Sequence, residues 1–359
     1  MPPRNHKQWT KTPNVEHINS LIYSDQSLYE QEIENIFAKV WVPVCHESEL
    51  PEVGRYRTSQ IAHKNVLIAH EPDGIQAYLY HNPGIIRVAG NTNDLDYKGW
   101  DKLHTEVNYG GMVWTTLDRN PTQGLKQWLD GAFDCIDDAI NTEPLEVFHY
   151  HKAVIDTNYK LWHDTNSEFY HDFMHYHNRV TGFNDAYFAR KNIPFNNGHV
   201  NVSSFTVQYE EYEGFEDRGE LSFPNLPPNQ WYMVDLFPGY NFNLRGSAYR
   251  SDSITPLGPN KVLIEFRGYG LKSDSPEDRA TRIEHHNSIW GPFGRNLHED
   301  LIGVAGQGTT MRPNTEPRNI LHGRHEGGTI HDEVGMRHYY AEWSKWMGVS
   351  AQDPKQKAA

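Results

Sequence analysis

The chain has 359 residues, of which 37% are hydrophobic and 22% charged, and its formal net charge is −14. This profile is typical of a soluble globular protein of about two domains. The negative charge argues against nucleic-acid binding through phosphates. No apolar stretch approaches the ~20 residues of a membrane span, and the first residues lack the apolar core of a secretory signal. We therefore expect a cytoplasmic protein that contacts no membrane.

The first half of the chain predicts a helical segment and then a small β domain. Apolar residues recur every three or four positions in residues 25–40, which predicts a helix. From 40 to about 118 the sequence changes to short β-type runs such as NVLIAH and GGMVWTTL, separated by Gly, Pro and Asn. A second amphipathic stretch lies near 123–141. We assign residues 1–39 to an N-terminal helical segment and 40–147 to an all-β domain.

Residues 148–359 form a second predicted domain. Strand-like runs such as NYKL, WYMVDLFPGYNFNLRG and KVLIEFRGYGL precede one long helix, which Ser273 or Ser275 caps and which continues through NLHEDLIGVAGQG. Strands followed by a long packing helix predict an α+β domain, with an antiparallel sheet curved around a helix.

The segment FYHDFMHYH holds the sharpest group of candidate metal ligands. His171 and His175 are four residues apart, so on one helix face both imidazoles can converge on one ion. Two histidines and one carboxylate form the triad that holds Fe(II) with open positions for dioxygen. Asp300 on the predicted C-terminal helix is the candidate carboxylate, and Glu299 beside it is the reserve.

Taken alone, this histidine spacing also suits a plain structural role. The chain has 21 histidines, and two of them four residues apart can simply cap or hydrogen-bond. We interpret the following histidines as structural or surface residues: His151, His163, His285, His286, His322, His325 and His331.

The surrounding motif resembles the catalytic domain of the alpha subunits of Rieske non-haem iron ring-hydroxylating oxygenases. In that family an Asn-Trp-Lys strand precedes Glu-Asn-x-x-Asp-x-Tyr-His and a second histidine; here NYKL precedes DTNSEFYH. The resemblance implies that Asn158–Lys160 lies on a strand and that His171 is the first iron ligand. Glu168 takes the place of a carboxylate that links the iron site to the neighbouring subunit. The resemblance also implies a helix-grip (START-like) catalytic domain after a Rieske-like β domain.

The later ED…Q pattern and the tail EWSKWMG extend the resemblance over nearly the whole chain, with Asp300 as the third ligand. The histidine spacing departs from the family, which has four residues between its histidines and would place the second at Tyr176. An ideal helix favours His175 as the second ligand, whereas a kinked helix would favour His177.

The ligands of the Rieske cluster are replaced. Such a [2Fe–2S] centre needs two thiolates and two imidazoles, which the family writes as Cys-x-His and Cys-x-x-His. HNPGIIRVAG and LDYKGW resemble these two motifs, but the four ligand positions hold Gly84, Ile86, Leu95 and Lys98. Cys45 and Cys135 are the only cysteines of the chain, and neither lies in these motifs. We therefore expect a mononuclear Fe2+ and no 2Fe-2S cluster.

Three interpretations remain open. In the first, a Rieske-bearing alpha-type partner subunit in a trimer or hexamer feeds electrons through Glu168 to this chain's iron, drawing them from NAD(P)H through a reductase. In the second, the chain is a structural or regulatory pseudo-subunit. In the third, the iron works without a cluster. The first implies hydroxylation of an aromatic or compact organic substrate by O2, in an apolar pocket lined by Trp162, Tyr170, Phe173 and Tyr176.

Overall fold

A computed structural model describes residues 15–80, 88–176, 183–207, 219–312 and 316–355. Two small antiparallel sheets form the β domain, in the strand orders β2-β9-β8 and β6-β3-β4-β5-β7. Its strands are β2 (Val42–His46), β3 (Arg55–Ile61), β4 (Lys64–Glu71), β5 (Gly74–Tyr80), β6 (Ala89–Asn91), β7 (Asp101–Lys102), β8 (His104–Asn108) and β9 (Met112–Thr116). The centre of β4 is Val66–Ala69, an apolar run that is buried throughout.

Helices flank this β domain along the chain. The α1 helix (Gln26–Glu32) begins at Asp25, whose side chain accepts a hydrogen bond from the N–H of Leu28, and it continues as a π-helix over Ile33–Phe37. After β9 come two short helices, α2 (Leu125–Leu129) and α3 (Asp137–Asn141), where the sequence predicted one.

A seven-stranded antiparallel sheet forms the centre of the second domain, in the order β10-β16-β15-β14-β13-β12-β11. Its strands are β10 (Leu145–Ile155), β11 (Asn192–Pro194), β12 (Val200–Thr206), β13 (Gln230–Leu236), β14 (Tyr240–Arg245), β15 (Ala248–Gly258) and β16 (Lys261–Leu271). The helices are α4 (Tyr159–Ser167), α5 (Asp185–Phe188), α6 (Pro276–Trp290), α7 (Leu297–Thr310) and α8 (Val334–Met347).

The two ends of the described chain meet in this second domain. Strand β1 (Val15–Asn19) pairs with β17 (Asn319–Arg324). Nζ of Lys160 on α4 lies 2.6 Å from Oε1 of Glu32 on α1, and neither side chain is exposed. The N-terminal segment is therefore packed into the catalytic sheet and helices rather than standing apart from them.

The structure corrects three sequence predictions. Asn158–Lys160 is the start of α4 and no strand, because the Asn158 side chain caps the helix by accepting from the N–H of Lys160. The run from 230 to 245 is two strands, because Pro238 and Gly239 turn the chain between β13 and β14.

The prediction of one long C-terminal helix is also wrong. It is divided into α6 and α7, because Gly291 ends α6 and Pro292 follows directly. Ser275 caps the start of α6, one of the two alternatives expected. Gly308 lets α7 closely approach the turn between β10 and α4, since a Cβ at that position would lie 2.3 Å from the carbonyl oxygen of Asp156.

Within the described ranges, no helix is both long and apolar enough to cross a membrane.

Candidate metal centre

Glu168 fixes the backbone conformation at the start of the segment that carries the two histidines. It is the C-cap residue of α4, in extended backbone. Its Oε2 accepts hydrogen bonds from the backbone N–H groups of Tyr170 (2.8 Å) and His171 (3.2 Å). A carboxylate at these N–H groups stabilises a helix start, and the chain continues as the 3-10 helix Tyr170–Met174. The backbone that leads to the first histidine is thereby fixed.

His171 has one ring nitrogen bound and the other directed inward. Its Nδ1 lies 2.6 Å from Oε1 of Glu168 and 3.0 Å from the carbonyl oxygen of the same residue. Both oxygens only accept hydrogen bonds, so Nδ1 carries a proton, and in the neutral imidazole Nε2 keeps the lone pair. That Nε2 lies 3.6 Å from Oδ1 of Asp300.

His175 is held in the same way by a different helix. Its Nδ1 lies 2.6 Å from Oε2 of Glu299 on α7, and Oε1 of Glu299 accepts from the N–H of Tyr176 at 3.3 Å. The lone pair is again on Nε2, which lies 3.1 Å from Oδ1 of Asp300. A carboxylate behind each imidazole is the arrangement that orients metal-binding histidines.

Oδ1 of Asp300 is the point where both imidazoles meet. It is buried and makes no hydrogen bond of good geometry with any residue that the structure describes. Two nitrogen lone pairs and a carboxylate oxygen repel one another unless a cation lies between them. Two imidazoles and one carboxylate are the ligands of a mononuclear non-haem Fe(II). The residues present therefore fit such an ion.

Asp172 is a second carboxylate at this point. Its Oδ1 lies 3.7 Å from Nε2 of His171 and 3.9 Å from Nε2 of His175, and the three residues place donor atoms within 4.8 Å of one another. Its other oxygen accepts the hydroxyl of Tyr187. Asp300 is closer to both imidazoles, and its Oδ1 has no hydrogen-bond partner among the described residues, so it is the better third ligand.

The pKa values show that the site favours positive charge. Burial lowers the pKa of His171, but the carboxylate of Glu168 outweighs it and raises that pKa to about 10. Burial also lowers the pKa of His175, whereas Asp300 raises it above its ordinary value. Without a metal ion the imidazoles attract protons, which a metal ion must displace on binding.

The predicted ligands His171, His175 and Asp300 thus lie together, with Glu168 beside them. The expected α-helix through both histidines is wrong, because His175 is the extended C-cap residue of a 3-10 helix. Glu299, the reserve ligand, binds Nδ1 of His175 instead of facing the centre. His177, the alternative second histidine, lies outside the described residues.

A small cavity of about 40 Å³ adjoins the converging atoms. Trp231, Asn243 and Arg245 of the sheet line it, as do Arg250 and Trp290. The wall therefore combines aromatic rings with two guanidinium groups.

The aromatic residues expected to line the pocket lie elsewhere. Trp162 is buried against Phe266. Phe173 and Tyr176 are exposed, and the hydroxyl of Tyr170 binds Glu326. The pocket is also less apolar than expected. Arg245 and Arg250 were not predicted as lining residues. The sequence does point to them, because both are charged residues in NFNLRGSAYR, a segment whose other residues are typical of a buried strand.

Two of the four cluster-ligand positions can be described. Leu95 is half-buried and packs against a buried cluster that contains Tyr78 and Tyr97, as do Tyr80 and Trp100, whose rings stack at 5.1 Å. Lys98 is exposed. Gly84 and Ile86 lie outside the described residues. The loss of the Rieske centre remains a prediction from the sequence.

Comparison with known proteins identifies the family. The sequence model of the ring hydroxylating alpha subunit (catalytic domain) matches residues 142–349. The alpha subunit of methanesulfonate monooxygenase hydroxylase from Methylosulfonomonas methylovora is 54% identical over 404 aligned positions, covering 99% of this chain and 97% of the relative. The alpha subunit of 2-aminobenzenesulfonate 2,3-dioxygenase from Alcaligenes sp is 33% identical, covering 97% and 98%. The chain belongs to the ring-hydroxylating oxygenase alpha-subunit family and is an oxidoreductase.

Solved structures agree on the fold. Naphthalene 1,2-dioxygenase from Rhodococcus sp. superposes with a TM-score of 0.73 at 16% identity, covering 92% of this chain and 94% of that one. A quaternary ammonium Rieske monooxygenase gives 0.72 at 17% identity, covering 94% and 97%. The expected α+β architecture of a Rieske oxygenase alpha subunit is confirmed.

Proposed function

We propose that this chain is the mononuclear-iron subunit of an oxygenase that hydroxylates a small organic sulfonate. The observation that carries the proposal is the convergence of Nε2 of His171 and His175 on Oδ1 of Asp300. Fe(II) held by these three residues would supply the centre at which dioxygen is activated. Glu168 and Glu299 would keep the two imidazoles in the tautomer that binds a metal ion.

The substrate class follows from the cavity and the relatives together. Both relatives are named for sulfonates. A sulfonate group carries one negative charge and three acceptor oxygens, which suits the guanidinium groups of Arg245 and Arg250. The rings of Trp231 and Trp290 offer apolar surface to the organic part. These features favour a compact anion over the larger aromatic hydrocarbons that the family resemblance alone allowed.

The electrons would come from a second alpha-type subunit that retains its Rieske cluster. The alignment with the methanesulfonate relative runs over 404 positions, whereas this chain has 359 residues, so at least 45 positions have no counterpart here. We infer that part of the segment between the two altered motifs is among them, since only eight residues separate Ile86 from Leu95. Glu168, whose side chain is 17% exposed, would connect the iron site to the partner.

The first experiment measures iron and labile sulfide in the chain purified alone and co-expressed with a Rieske-bearing alpha-type subunit. We expect about one iron per chain without sulfide when alone, and sulfide only with the partner. Turnover is measured as sulfite release. Hydroxylation at the carbon bound to sulfur consumes dioxygen, two electrons and two protons, and yields water and an α-hydroxysulfonate, which dissociates to a carbonyl compound, sulfite and a proton.

Each outcome separates the three interpretations. Iron in neither preparation would overturn the proposal in favour of a pseudo-subunit. Sulfite release by the iron-loaded chain with a soluble reductant and no partner would favour an iron enzyme that works without a cluster. Labile sulfide in the chain alone would contradict the predicted loss of the cluster.

A further inference from the structure

Asp172 brings a second carboxylate to the converging imidazoles. It follows His171 directly in the 3-10 helix and is only 4% exposed. Its Oδ1 lies 3.7 Å from Nε2 of His171, whereas Oδ1 of Asp300 lies 3.6 Å from the same atom. At Nε2 of His175 the two distances are 3.9 and 3.1 Å. Distance alone therefore does little to keep Asp172 away from a metal ion that the other three residues bind.

The hydroxyl of Tyr187 binds the other oxygen of Asp172. It donates a hydrogen bond to Oδ2, and both side chains are buried. A carboxylate only accepts hydrogen bonds, so the tyrosine is the donor. Hydrogen bonds to a charged group are roughly twice as strong as those between neutral groups. This bond therefore ties the carboxylate of Asp172 firmly to helix α5.

Tyr187 is itself held in place by its surroundings. It lies in α5, which begins at Asn184, and the side chain of Asn184 accepts the N–H of Tyr187 at 2.9 Å. The tyrosine ring packs edge-to-face against Phe183 and Phe205, with ring centres 4.9 and 5.9 Å away. A ring packed in this way has little freedom to move. Its hydroxyl therefore offers Asp172 a partner at a fixed position.

The two carboxylates differ most in this hydrogen bond. Oδ1 of Asp300 has no hydrogen-bond partner among the described residues. A divalent cation attracts both carboxylates. Asp300 can approach the ion without losing a hydrogen bond at Oδ1, whereas Asp172 is restrained by Tyr187.

We propose that Tyr187 is a positioning residue whose hydroxyl holds the carboxylate of Asp172 out of the ligand set of the metal ion. This inference rests on the proposed function, which supplies that ion. Two imidazoles and one carboxylate leave positions open for dioxygen and substrate. A second carboxylate would fill one of these positions and add a negative charge, which strengthens the binding of a divalent cation. Tyr187 thus keeps the centre open and lowers its affinity for the metal ion.

The test measures the binding of Co(II), an air-stable substitute for Fe(II), to the purified chain. The Kd is obtained by competition with a chelator, and the visible absorption of the bound ion reports its ligands. The variants are Y187F, D172N and the double variant Y187F/D172N. Y78F is the matched control, because the buried Tyr78 of the β domain also donates its hydroxyl to a carboxylate, Oε1 of Glu71 at 2.8 Å.

We expect Y187F to bind Co(II) roughly tenfold more tightly than wild type, because the released carboxylate joins the ligand set. The absorption spectrum of the bound ion should change for the same reason. Both effects should disappear in the double variant, which should match D172N, because Tyr187 acts only through Asp172. Y187F keeps the packed ring and should retain the fold. The affinity and spectrum of Y78F should equal those of wild type.

Three results would overturn the inference and leave the proposed function intact. Equal or weaker Co(II) binding by folded Y187F would show that the hydroxyl does not restrain Asp172. A change in Y187F that persists in the double variant would show that Tyr187 acts through the packing of α5. Loss of Co(II) from D172N would make Asp172 a ligand already in wild type. A wild-type chain that binds no Co(II) would instead refute the proposed function before any variant is compared.

Discussion

Nε2 of His175 and Oδ1 of Asp300 lie 3.1 Å apart, and in the neutral imidazole, whose one proton Glu299 holds on Nδ1, neither atom carries a proton. Two acceptors at this distance repel each other. The contact is favourable only when a metal ion or an additional proton lies between them. The same holds for His171, whose proton is held by Glu168. The site is therefore built for a cation, and its variants can be ranked by what they do to that cation.

The first prediction concerns the third ligand. Asp300→Asn keeps the shape of the side chain but removes its charge, so we expect iron affinity to fall by roughly a hundredfold or more. The thermal midpoint should stay near that of wild type, because the lost oxygen makes no good hydrogen bond among the described residues. Asp172→Asn is the matched control and should retain iron. Loss of iron from the Asp172 variant alone would make Asp172 the ligand.

The second prediction concerns the carboxylate behind His171. Glu168→Ala removes the acceptor for Nδ1 and for the N–H groups of Tyr170 and His171, so iron affinity should fall about 10–100-fold. Glu168→Gln keeps an acceptor oxygen and should retain most of the affinity. Both are measured by competition with a chelator. Wild-type affinity in the alanine variant would show that Glu168 does not orient the ligand.

The third prediction concerns the buried pair Lys160–Glu32. Burial lowers the pKa of Lys160 and raises that of Glu32, and the opposite charge of the partner works against both shifts. Lys160→Met leaves a buried carboxylate and should cost about 3–5 kcal/mol of unfolding free energy. The double variant Lys160→Met, Glu32→Leu should recover most of this.

Urea denaturation measures both variants. The control is Lys261→Met, since Lys261 is 53% exposed and 3.7 Å from Asp156; it should cost less than ~1 kcal/mol. A double variant as unstable as the single one would show that the pair is not the cause.

The fourth prediction is a loss of stability in acid. Burial lowers the pKa of His46 to about 4 and that of His199 to about 3. The unfolded chain binds protons at these residues near pH 6.5 and the folded chain does not, so their contribution is present above pH 6.5 and is lost as pH falls towards 4. The expected slope is roughly 1.4 kcal/mol per pH unit for each histidine.

His199→Gln tests this slope. The variant loses the hydrogen bonds to Trp128 and Phe237 at pH 7.5 and should be less stable there. Its deficit against wild type should shrink at pH 5, as urea denaturation curves would show. The exposed His104→Gln serves as control. A deficit that does not change with pH would refute the prediction.

The sequence predicted which residues belong to the candidate site better than it predicted the backbone conformation of the segment that carries them. His171, His175 and Asp300 could be named because their chemistry is written in residue type and spacing. The 3-10 helix could not be predicted, because it depends on the Glu168 carboxylate accepting hydrogen bonds from the N–H groups of Tyr170 and His171. The position of Glu299 behind His175 depends on the break between α6 and α7, which Gly291 and Pro292 signalled but the helical pattern on either side obscured.

The polar cavity was missed for a related reason. The sequence analysis identified the run up to Arg245 as strand-like but could not tell which side chains of that run face the cavity. The pairing of β13 with β14 is what brings it beside Trp231, and pairing between strands is a long-range property that local patterns do not contain.

The chain of the catalytic domain begins before the small β domain and finishes after it. Strand β1 is joined to β17, and Glu32 is held by both Lys160 and Nε1 of Trp343. The β domain is thus an insertion in the chain of the catalytic domain, and the segments on either side of the insertion bind each other. Loops of such an inserted domain can change while the surrounding domain keeps its architecture. We therefore expect changes in the loops of the β domain to leave the candidate metal centre in place.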